Sequence, residues 1–147
     1  MTRFFLPRPP RLFAHRGDNV RWPENTLPAF RSAADLGMEY LELDVWLCRD
    51  ERIMVHNDRD TRWTCGSRAS IPESAFVRLR DLDPAWSFVD ASGQRPYVGC
   101  GICIPTLEEV LDAFPQMMIT VEIKQDSERL RELLLALLKE RSALDRV

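Results

Sequence analysis

The chain has 147 residues, of which 45% are hydrophobic and 29% charged, and its formal net charge is −3. This length and composition predict one globular domain with a hydrophobic core. The charge excludes the broad basic surface of a nucleic-acid-binding protein, and no apolar run is long enough for an integral membrane segment. The apolar run at residues 4–6 is too short for a signal-peptide core, so we expect a cytoplasmic protein. The four cysteines are expected to be free thiols.

The first forty residues predict an arm, a strand and a helix. Residues 1–10 are rich in proline and form an N-terminal arm that we expect to be extended. Residues 11–15 are a short apolar strand. Asn25 or Thr26 can cap the helix that follows, and Gly37 ends it. The apolar stripe of this helix consists of Leu27, Phe30, Ala33 and Ala34.

Residues 40–48 predict a strand, because polar and apolar residues alternate with period two. Glu42, Asp44 and Trp46 share one face. Two carboxylates on one face repel each other and lose hydration when buried, and a divalent cation between them would offset both costs. The alternative is a solvated edge on which the carboxylates have no ligand.

Residues 52–56 predict a third strand that ends at His56. Residues 57–104 are rich in Arg, Asp, Ser, Pro and Gly, and we interpret them as an insertion with a little helix around residues 72–82. The insertion's aromatic residues could form a lipid-facing or substrate-facing wall, but a small core is the favoured interpretation. They are Trp63, Phe76, Trp86, Phe88 and Tyr97.

The last third predicts a helix, a strand and a helix. Thr106 and Glu109 fit a capping box. Residues 119–124 alternate as a strand, and Ser127 can cap a final helix with a stripe of leucines over residues 130–138. The order of elements predicts an α/β protein with a largely parallel sheet. Ligands of such sheets meet the C-terminal ends of the strands, and the charged candidates all lie there: His15, Arg16, Glu42, Asp44, His56, Glu122 and Lys124.

These residue types predict metal-assisted phosphoryl chemistry. Two histidines can take a proton from a nucleophile and give one to a leaving oxygen. Three carboxylates suit Ca²⁺ or Mg²⁺ rather than Zn²⁺. Arg16 and Lys124 can hold phosphate oxygens, although Lys124 could simply neutralise Glu122. Glu24 and Asn25 are expected to organise the turn and the helix cap rather than to touch substrate.

Cys100 and Cys103 form a C-x-x-C pair. A zinc site would need a second pair, and Cys48 and Cys65 do not form one. A redox or metal role for these cysteines is therefore disfavoured.

Several short motifs, in order and with matching approximate spacing from about residue 12 to residue 124, closely resemble the glycerophosphodiester phosphodiesterases. The motifs are His15-Arg16-Gly17, Pro23-Glu24-Asn25-Thr26-Leu27, Glu42-Leu43-Asp44-Val45, Val55-His56, Ile104-Pro105-Thr106-Leu107 and Glu122-Ile123-Lys124.

The resemblance implies a TIM barrel that uses a divalent cation to hydrolyse glycerophosphodiesters to an alcohol and sn-glycerol 3-phosphate. It implies that His15 and His56 are the acid–base pair and that Arg16 and Lys124 contact the phosphate. It also implies that the insertion is a small subdomain over the barrel mouth, on the leaving-group side. The implied metal ligands are Glu42, Asp44 and Glu122.

Three positions depart from the family pattern. Asn57 stands where an aspartate usually follows the second histidine, which would weaken the imidazole if that aspartate orients it. Trp63 replaces a small hydroxyl residue, and Glu51 replaces a common turn glycine.

The length also departs from the family. A TIM barrel needs about 250 residues, and this chain ends after what looks like the fourth strand and its helix. We therefore expect residues 11–147 to form only the first half of the barrel, with open sheet edges that pair with a second copy or with a missing C-terminal half.

Two other functions stay open. The first is a non-catalytic truncated remnant, or one half of a split enzyme, that binds metal or phosphate weakly. The second is a related barrel with a different substrate, such as a phospholipase D-like or phosphoinositide-cleaving enzyme. Residues 23–26 favour the glycerophosphodiesterases over that second group.

Overall fold

The computed structural model describes residues 2–6 and 9–147. Within these residues the strands are β1 (Phe13–His15), β2 (Tyr40–Leu47), β3 (Ile53–Val55) and β4 (Met118–Ile123). The helices are α1 (Leu27–Asp35), α2 (Arg62–Cys65), α3 (Phe76–Arg80), α4 (Leu107–Ala113) and α5 (Glu128–Glu140). Among the residues described, no helix is long and apolar enough to cross a bilayer.

β2 is the central strand of the sheet. β4 runs parallel to it along one edge, from Tyr40 paired with Met118 to Val45 paired with Ile123. β1 runs parallel to its first half, and His15 pairs with Glu42. β3 runs antiparallel to the second half of β2, on the same edge as β1 and beyond the end of β1. The prediction of an α/β protein with a largely parallel sheet is confirmed.

The prediction that the third strand is one of four barrel strands is wrong, because β3 is antiparallel to β2. Only residues 48–52 separate β2 from β3, and a parallel crossover needs about a dozen residues or more. The short connection therefore forms a hairpin in which the Cys48 amide donates to the Arg52 carbonyl at 3.0 Å. The described sheet has three parallel strands, β1, β2 and β4.

The main core lies on the face of β2 that carries Leu41, Leu43, Val45 and Leu47. Helices α1, α4 and α5 cover this face with apolar stripes at the predicted spacing. Each fully buried Leu or Phe side chain contributes about 1.5–3 kcal/mol of transfer free energy. The helices' side chains in this core are Phe30, Ala33, Leu107, Val110, Leu111, Leu130 and Leu138. The opposite face of β2, with Glu42 and Asp44, is thereby left for polar contacts.

The predicted helix caps are confirmed. The Thr26 hydroxyl accepts a hydrogen bond from the third residue of α1, and Gly37 follows that helix at φ +82°. Thr106 and Glu109 form the full capping box of α4. The Ser127 hydroxyl accepts from the Leu130 amide at the start of α5.

Residues 57–104 contain the expected helix, α3, and one short helix, α2, that the sequence did not predict. A second buried cluster joins these residues to the β2–β3 hairpin. It is made of Cys48, Met54, Cys65, Ala69, Ile71, Leu79, Leu82 and Ile104. The expected core of aromatic residues is wrong for Trp63 and Trp86, whose exposed fractions are 73% and 42%. The insertion is held by aliphatic and cysteine side chains instead.

The N-terminal arm predicted over residues 1–10 is not extended where the structure describes it. Arg3–Phe5 form one 3₁₀ turn, and the Phe4 ring packs edge-on against Tyr40 with 5.2 Å between centroids. The Phe4 amide donates to the Asp145 carbonyl at 2.9 Å. Met1, Pro7 and Arg8 lie outside the described residues.

Candidate active site

Three carboxylates meet at one point of the sheet. Glu42 and Asp44 project from the polar face of β2, and the parallel register places Glu122 of β4 directly beside Asp44. One carboxylate oxygen from each residue lies within 4.8 Å of the other two. Asp44 is fully buried, Glu42 is half-buried and Glu122 is exposed. In the part of the chain that the structure describes, this is the single cluster of His, Cys, Asp or Glu with metal-binding spacing.

The donor set fits a hard divalent cation. Asp44 Oδ1 is buried, and Lys124 Nζ lies 3.1 Å from it. Burial, and then the charge of Asp44, raise the pKa of Glu42. Three carboxylates this close together, one of them buried and one with its ionisation opposed, are stabilised by a divalent cation that prefers oxygen ligands.

Lys124 provides the nearest positive charge in this cluster. Its Nζ lies 2.7 Å from Glu122 Oε1 and 3.1 Å from Asp44 Oδ1. Burial disfavours the charged ammonium, but its hydrogen bonds to Glu122 and Asp44 outweigh that effect and raise the pKa of Lys124. Lys124 thus partly neutralises Glu122, as the sequence allowed, and it also pairs with Asp44.

Arg16 follows β1 and reaches the same cluster from the other side. Its Nε lies 3.0 Å from Asp44 Oδ2, and its Nη1 lies 3.1 Å from Glu24 Oε1. Its Nη2 donates to Asn57 Oδ1 at 2.8 Å. The guanidinium is therefore oriented by three acceptors, and Glu24 contacts it directly rather than only organising the turn.

Asn25 contacts the central carboxylate of the cluster. Its Nδ2 donates to Asp44 Oδ2 at 2.9 Å, and its backbone has φ +54°. Thr26, not Asn25, caps α1. Asn25 therefore orients the central carboxylate. Its neighbours in sequence carry no signal of this contact, since Asp44 lies 19 residues further along the chain.

The two histidines reach the carboxylates in different ways. His15 ends β1, its side chain is 63% exposed, and its Nε2 lies 3.9 Å from Glu42 Oε2. His56 follows β3, and the antiparallel hairpin brings its backbone amide to the Asp44 carbonyl at 2.9 Å. His56 is only 3% exposed.

Both nitrogens of the His56 ring have partners. Nδ1 lies 2.8 Å from the Asp58 carbonyl oxygen, and Nε2 lies 2.8 Å from Thr64 Oγ1. Burial lowers the pKa of His56. The structure thus combines one exposed histidine with one buried histidine that favours the neutral form.

An open groove of about 450 Å³ runs beside this cluster. Arg16 and Thr64 line it on the polar side, and Pro23, Trp63, Pro84 and Phe88 give it an apolar wall. Tyr97 stacks on Trp22 with 4.3 Å between ring centroids, which ties the insertion to the loop after β1. The groove therefore lies between the insertion and Arg16.

Residues 15–145 match the glycerophosphoryl diester phosphodiesterase family. The chain belongs to this family. It is 34% identical over 117 residues to a glycerophosphodiester phosphodiesterase from Bacillus altitudinis, which covers 78% of this chain and 45% of that protein. It is 34% identical over 113 residues to lysophospholipase D GDPD1 from Homo sapiens, covering 76% of this chain and 35% of that one. The chain therefore spans about half the length, or less, of the curated relatives it matches.

Solved structures of glycerophosphodiester phosphodiesterases share the fold. The glycerophosphoryl diester phosphodiesterase domain of an uncharacterized Mycobacterium tuberculosis protein superposes with a TM-score of 0.85 at 24% identity, over 93% of this chain and 50% of that one. An Oleispira antarctica phosphodiesterase, solved in complex with the product sn-glycerol-3-phosphate, gives 0.78 at 26% identity, over 90% and 53%.

The departures from the glycerophosphodiester phosphodiesterase pattern have local explanations. Asn57 contacts Arg16 and not the imidazole of His56, whose Nδ1 is held by a backbone carbonyl. Glu51 has φ +58°, the left-handed conformation that favours a glycine, and its carboxylate pairs with Arg129 at 2.8 Å. Neither Asn57 nor Glu51 is a hydrogen-bond partner of the His56 ring in this chain.

The four cysteines lie outside the carboxylate cluster. All four are free, as expected. Burial raises the pKa of Cys65 to about 11, so its thiol is unreactive at neutral pH. Cys100 is exposed and Cys103 half-buried, and neither belongs to the carboxylate cluster.

Proposed function

We propose that the chain hydrolyses small-molecule glycerophosphodiesters to an alcohol and sn-glycerol 3-phosphate with one divalent cation, Mg²⁺ or Ca²⁺. The observation that carries this proposal is the meeting of three carboxylates and two histidines around β2 in a chain of this family. The product complex of the Oleispira antarctica relative supports the choice of product.

Glu42, Asp44 and Glu122 would hold the cation, which when bound neutralises phosphate charge and polarises a phosphoryl oxygen. Asn25 and Arg16 hold Asp44 Oδ2 by direct contact, so the orientation of this carboxylate is fixed before a ligand binds. Preorganisation of this kind reduces the reorganisation that accompanies the reaction.

Arg16 and Lys124 would bind the nonbridging phosphate oxygens. Arg16 is held at the groove by Glu24 and Asn57, which leaves its planar guanidinium in a defined orientation. Asn57 contributes an amide where the family usually has a carboxylate, so one less negative charge competes with the phosphate for Arg16.

The histidines would divide the proton transfers. His56 is the base, because burial favours its neutral imidazole, in which one ring nitrogen can accept a proton. His15 is the acid, because its exposed ring can reach a leaving oxygen beside Glu42. The insertion at 57–104 would form the subdomain on the leaving-group side of a partial TIM barrel spanning residues 11–147. The cytoplasmic location stays a prediction.

The test is a product assay with matched variants. The purified chain is incubated with glycerophosphocholine and Mg²⁺ or Ca²⁺, and glycerol 3-phosphate is measured against His15→Ala and His56→Ala. We expect product from the unsubstituted chain and a loss of at least about 100-fold in each variant. Equal product in all three would contradict the proposed roles of the histidines.

A non-catalytic protein that binds the cation or phosphate weakly is the second candidate. The observation that favours it is that Lys124 already pairs with Asp44 and Glu122, two of the carboxylates that would hold the cation. Cation binding by calorimetry without product release would support this candidate over hydrolysis.

A further inference from the structure

His56 is separated from the groove by one side chain. The imidazole is 3% exposed, and Thr64, not His56, lines the groove. Thr64 Oγ1 lies 2.8 Å from His56 Nε2. Thr64 belongs to α2, is half-buried and lines the groove, while its hydroxyl contacts the imidazole.

The hydrogen bonds around His56 have one consistent assignment. The Asp58 carbonyl can only accept, so Nδ1 of His56 carries the hydrogen and donates to it at 2.8 Å. A neutral imidazole has one N–H, so Nε2 presents a lone pair and accepts from the Thr64 hydroxyl. Two other atoms near that hydroxyl, the Thr61 carbonyl oxygen and Cys65 Sγ, each lie 3.5 Å away, and both are weaker partners than the imidazole nitrogen at 2.8 Å.

We propose that Thr64 relays the proton between the nucleophilic water in the groove and His56. This inference rests on the proposed function. As the water oxygen bonds to phosphorus, the water proton passes to Thr64 Oγ1, and the Thr64 proton passes to His56 Nε2. The step leaves a His56 imidazolium and an intact Thr64 hydroxyl. The leaving alkoxide takes its proton from His15 as the old P–O bond breaks.

The relay explains how a buried base can act on solvent. Direct transfer would require a water against Nε2, where the Thr64 hydroxyl already lies at hydrogen-bond distance. A purely structural Thr64 would serve only to fill space on α2. Thr64→Val keeps that volume and removes the hydroxyl, while Thr64→Ser keeps the hydroxyl and removes a methyl group.

The kinetic test compares these variants on two substrates, glycerophosphocholine and the p-nitrophenyl ester of glycerol 3-phosphate. We expect Thr64→Val to lower kcat about 100-fold on both substrates with KM unchanged, because water activation precedes either leaving group. Thr64→Ser should retain most of the activity. His15→Ala should lose far more on glycerophosphocholine than on the p-nitrophenyl ester, whose leaving oxygen needs no proton.

Two kinetic outcomes would overturn the relay. One is unchanged turnover in Thr64→Val, and the other is recovery of that variant on the p-nitrophenyl ester, which would place Thr64 on the leaving-group side. No turnover by the unsubstituted chain would contradict the proposed function itself.

A spectroscopic test works without turnover. Imidazole ¹⁵N NMR of the unsubstituted chain should show His56 as the Nδ1–H tautomer, with the hydrogen bond at Nε2 lost in Thr64→Val. A His56 that carries its hydrogen on Nε2 would be a donor to Thr64, and the relay would be excluded.

Discussion

At the scale of single residues, the site combines a rigid centre with an exposed rim. Asp44 is fully buried and contacts Asn25, Arg16 and Lys124. Glu122 lies at the rim, with its side chain 55% exposed. Substitution of Glu122 can therefore change cation binding with little effect on folding, whereas substitution of Asp44 would leave buried positive charge uncompensated.

Glu122→Gln gives the cleanest test of the cation site. A ligand that binds only the folded chain stabilises it, by about 2.7 kcal/mol at 100 times its Kd. We expect Ca²⁺ or Mg²⁺ to raise the Tm of the unsubstituted chain and to raise that of Glu122→Gln much less. Glu132→Gln, an exposed change on α5, is the matched control. Equal stabilisation of both variants would exclude Glu122 as a ligand.

The buried imidazole predicts a loss of stability in mild acid. Burial lowers the pKa of His56 below its unfolded value of about 6.5. The contribution of neutral His56 to the free energy of unfolding is therefore complete above about pH 6.5. It decreases as the pH falls below that value, because the unfolded chain then binds a proton more readily than the folded chain does. Urea unfolding from pH 7.5 to 5 should show a steeper decline for the unsubstituted chain than for His56→Gln. Parallel curves would contradict this.

The sequence predicted the charged members of the site but not the neutral ones that orient them. Glu42 and Asp44 are visible from alternation, and Glu122 from its own strand. The parallel register that brings Asp44 beside Glu122 is a property of the sheet. The strand pattern gives no such signal for Asn25 and Thr64, because a single amide or hydroxyl has many ordinary uses and its partner is set by the fold.

At the scale of elements, the turn between β1 and α1 places Arg16. Gly17 has φ +84°, and a Cβ there would lie 2.7 Å from the Ala29 backbone. Gly37 has a similar φ of +82°, but a Cβ there would meet nothing within 4 Å. A side chain at Gly37 would meet only the strain of a positive φ, whereas one at Gly17 would also clash with Ala29.

Gly17→Ala and Gly37→Ala form a matched pair. We expect Gly37→Ala to cost about 1–2 kcal/mol, the strain of a left-handed alanine. Gly17→Ala should cost clearly more, since Ala29 and α1 must also move, and it should displace Arg16 and reduce activity. Urea unfolding at pH 7.5 measures both, and equal losses would show that the β1–α1 turn adapts freely.

The hairpin of β2 and β3 shows where element prediction fails. Residues 52–56 have the pattern of a strand, and that pattern does not state the direction of the strand. The five-residue connection after Leu47 does, because it is too short for a crossover. His56 does follow the C-terminal end of β3 as predicted, although β3 runs antiparallel to β2 rather than parallel to it.

At the scale of the whole molecule, the described sheet leaves strand edges open. β1 and β4 each pair only with β2 in the described part of the chain. Unpaired edges are templates for another strand. Pairing of these edges with a second copy of the chain or with further strands is therefore a proposal.

Size-exclusion chromatography with light scattering tests the open edges. We expect the purified chain to elute as a dimer or larger species across a range of concentrations. A lysine substitution at Ile123, which is on β4 and 39% exposed, should shift the chain toward monomer. Leu144→Lys, an exposed apolar change away from the strands, is the control. A stable monomer at all concentrations would contradict the expectation.

The antiparallel hairpin also restricts insertions and deletions in the turn at residues 48–52. His56 meets Asp44 because residues 48–52 return the chain in one register, and a single inserted residue there would turn the imidazole to the opposite face. Exposed positions near residue 93 have no comparable constraint. Insertions and deletions should therefore accumulate in the long loop over evolutionary time, while the five-residue turn keeps its length even as its sequence drifts.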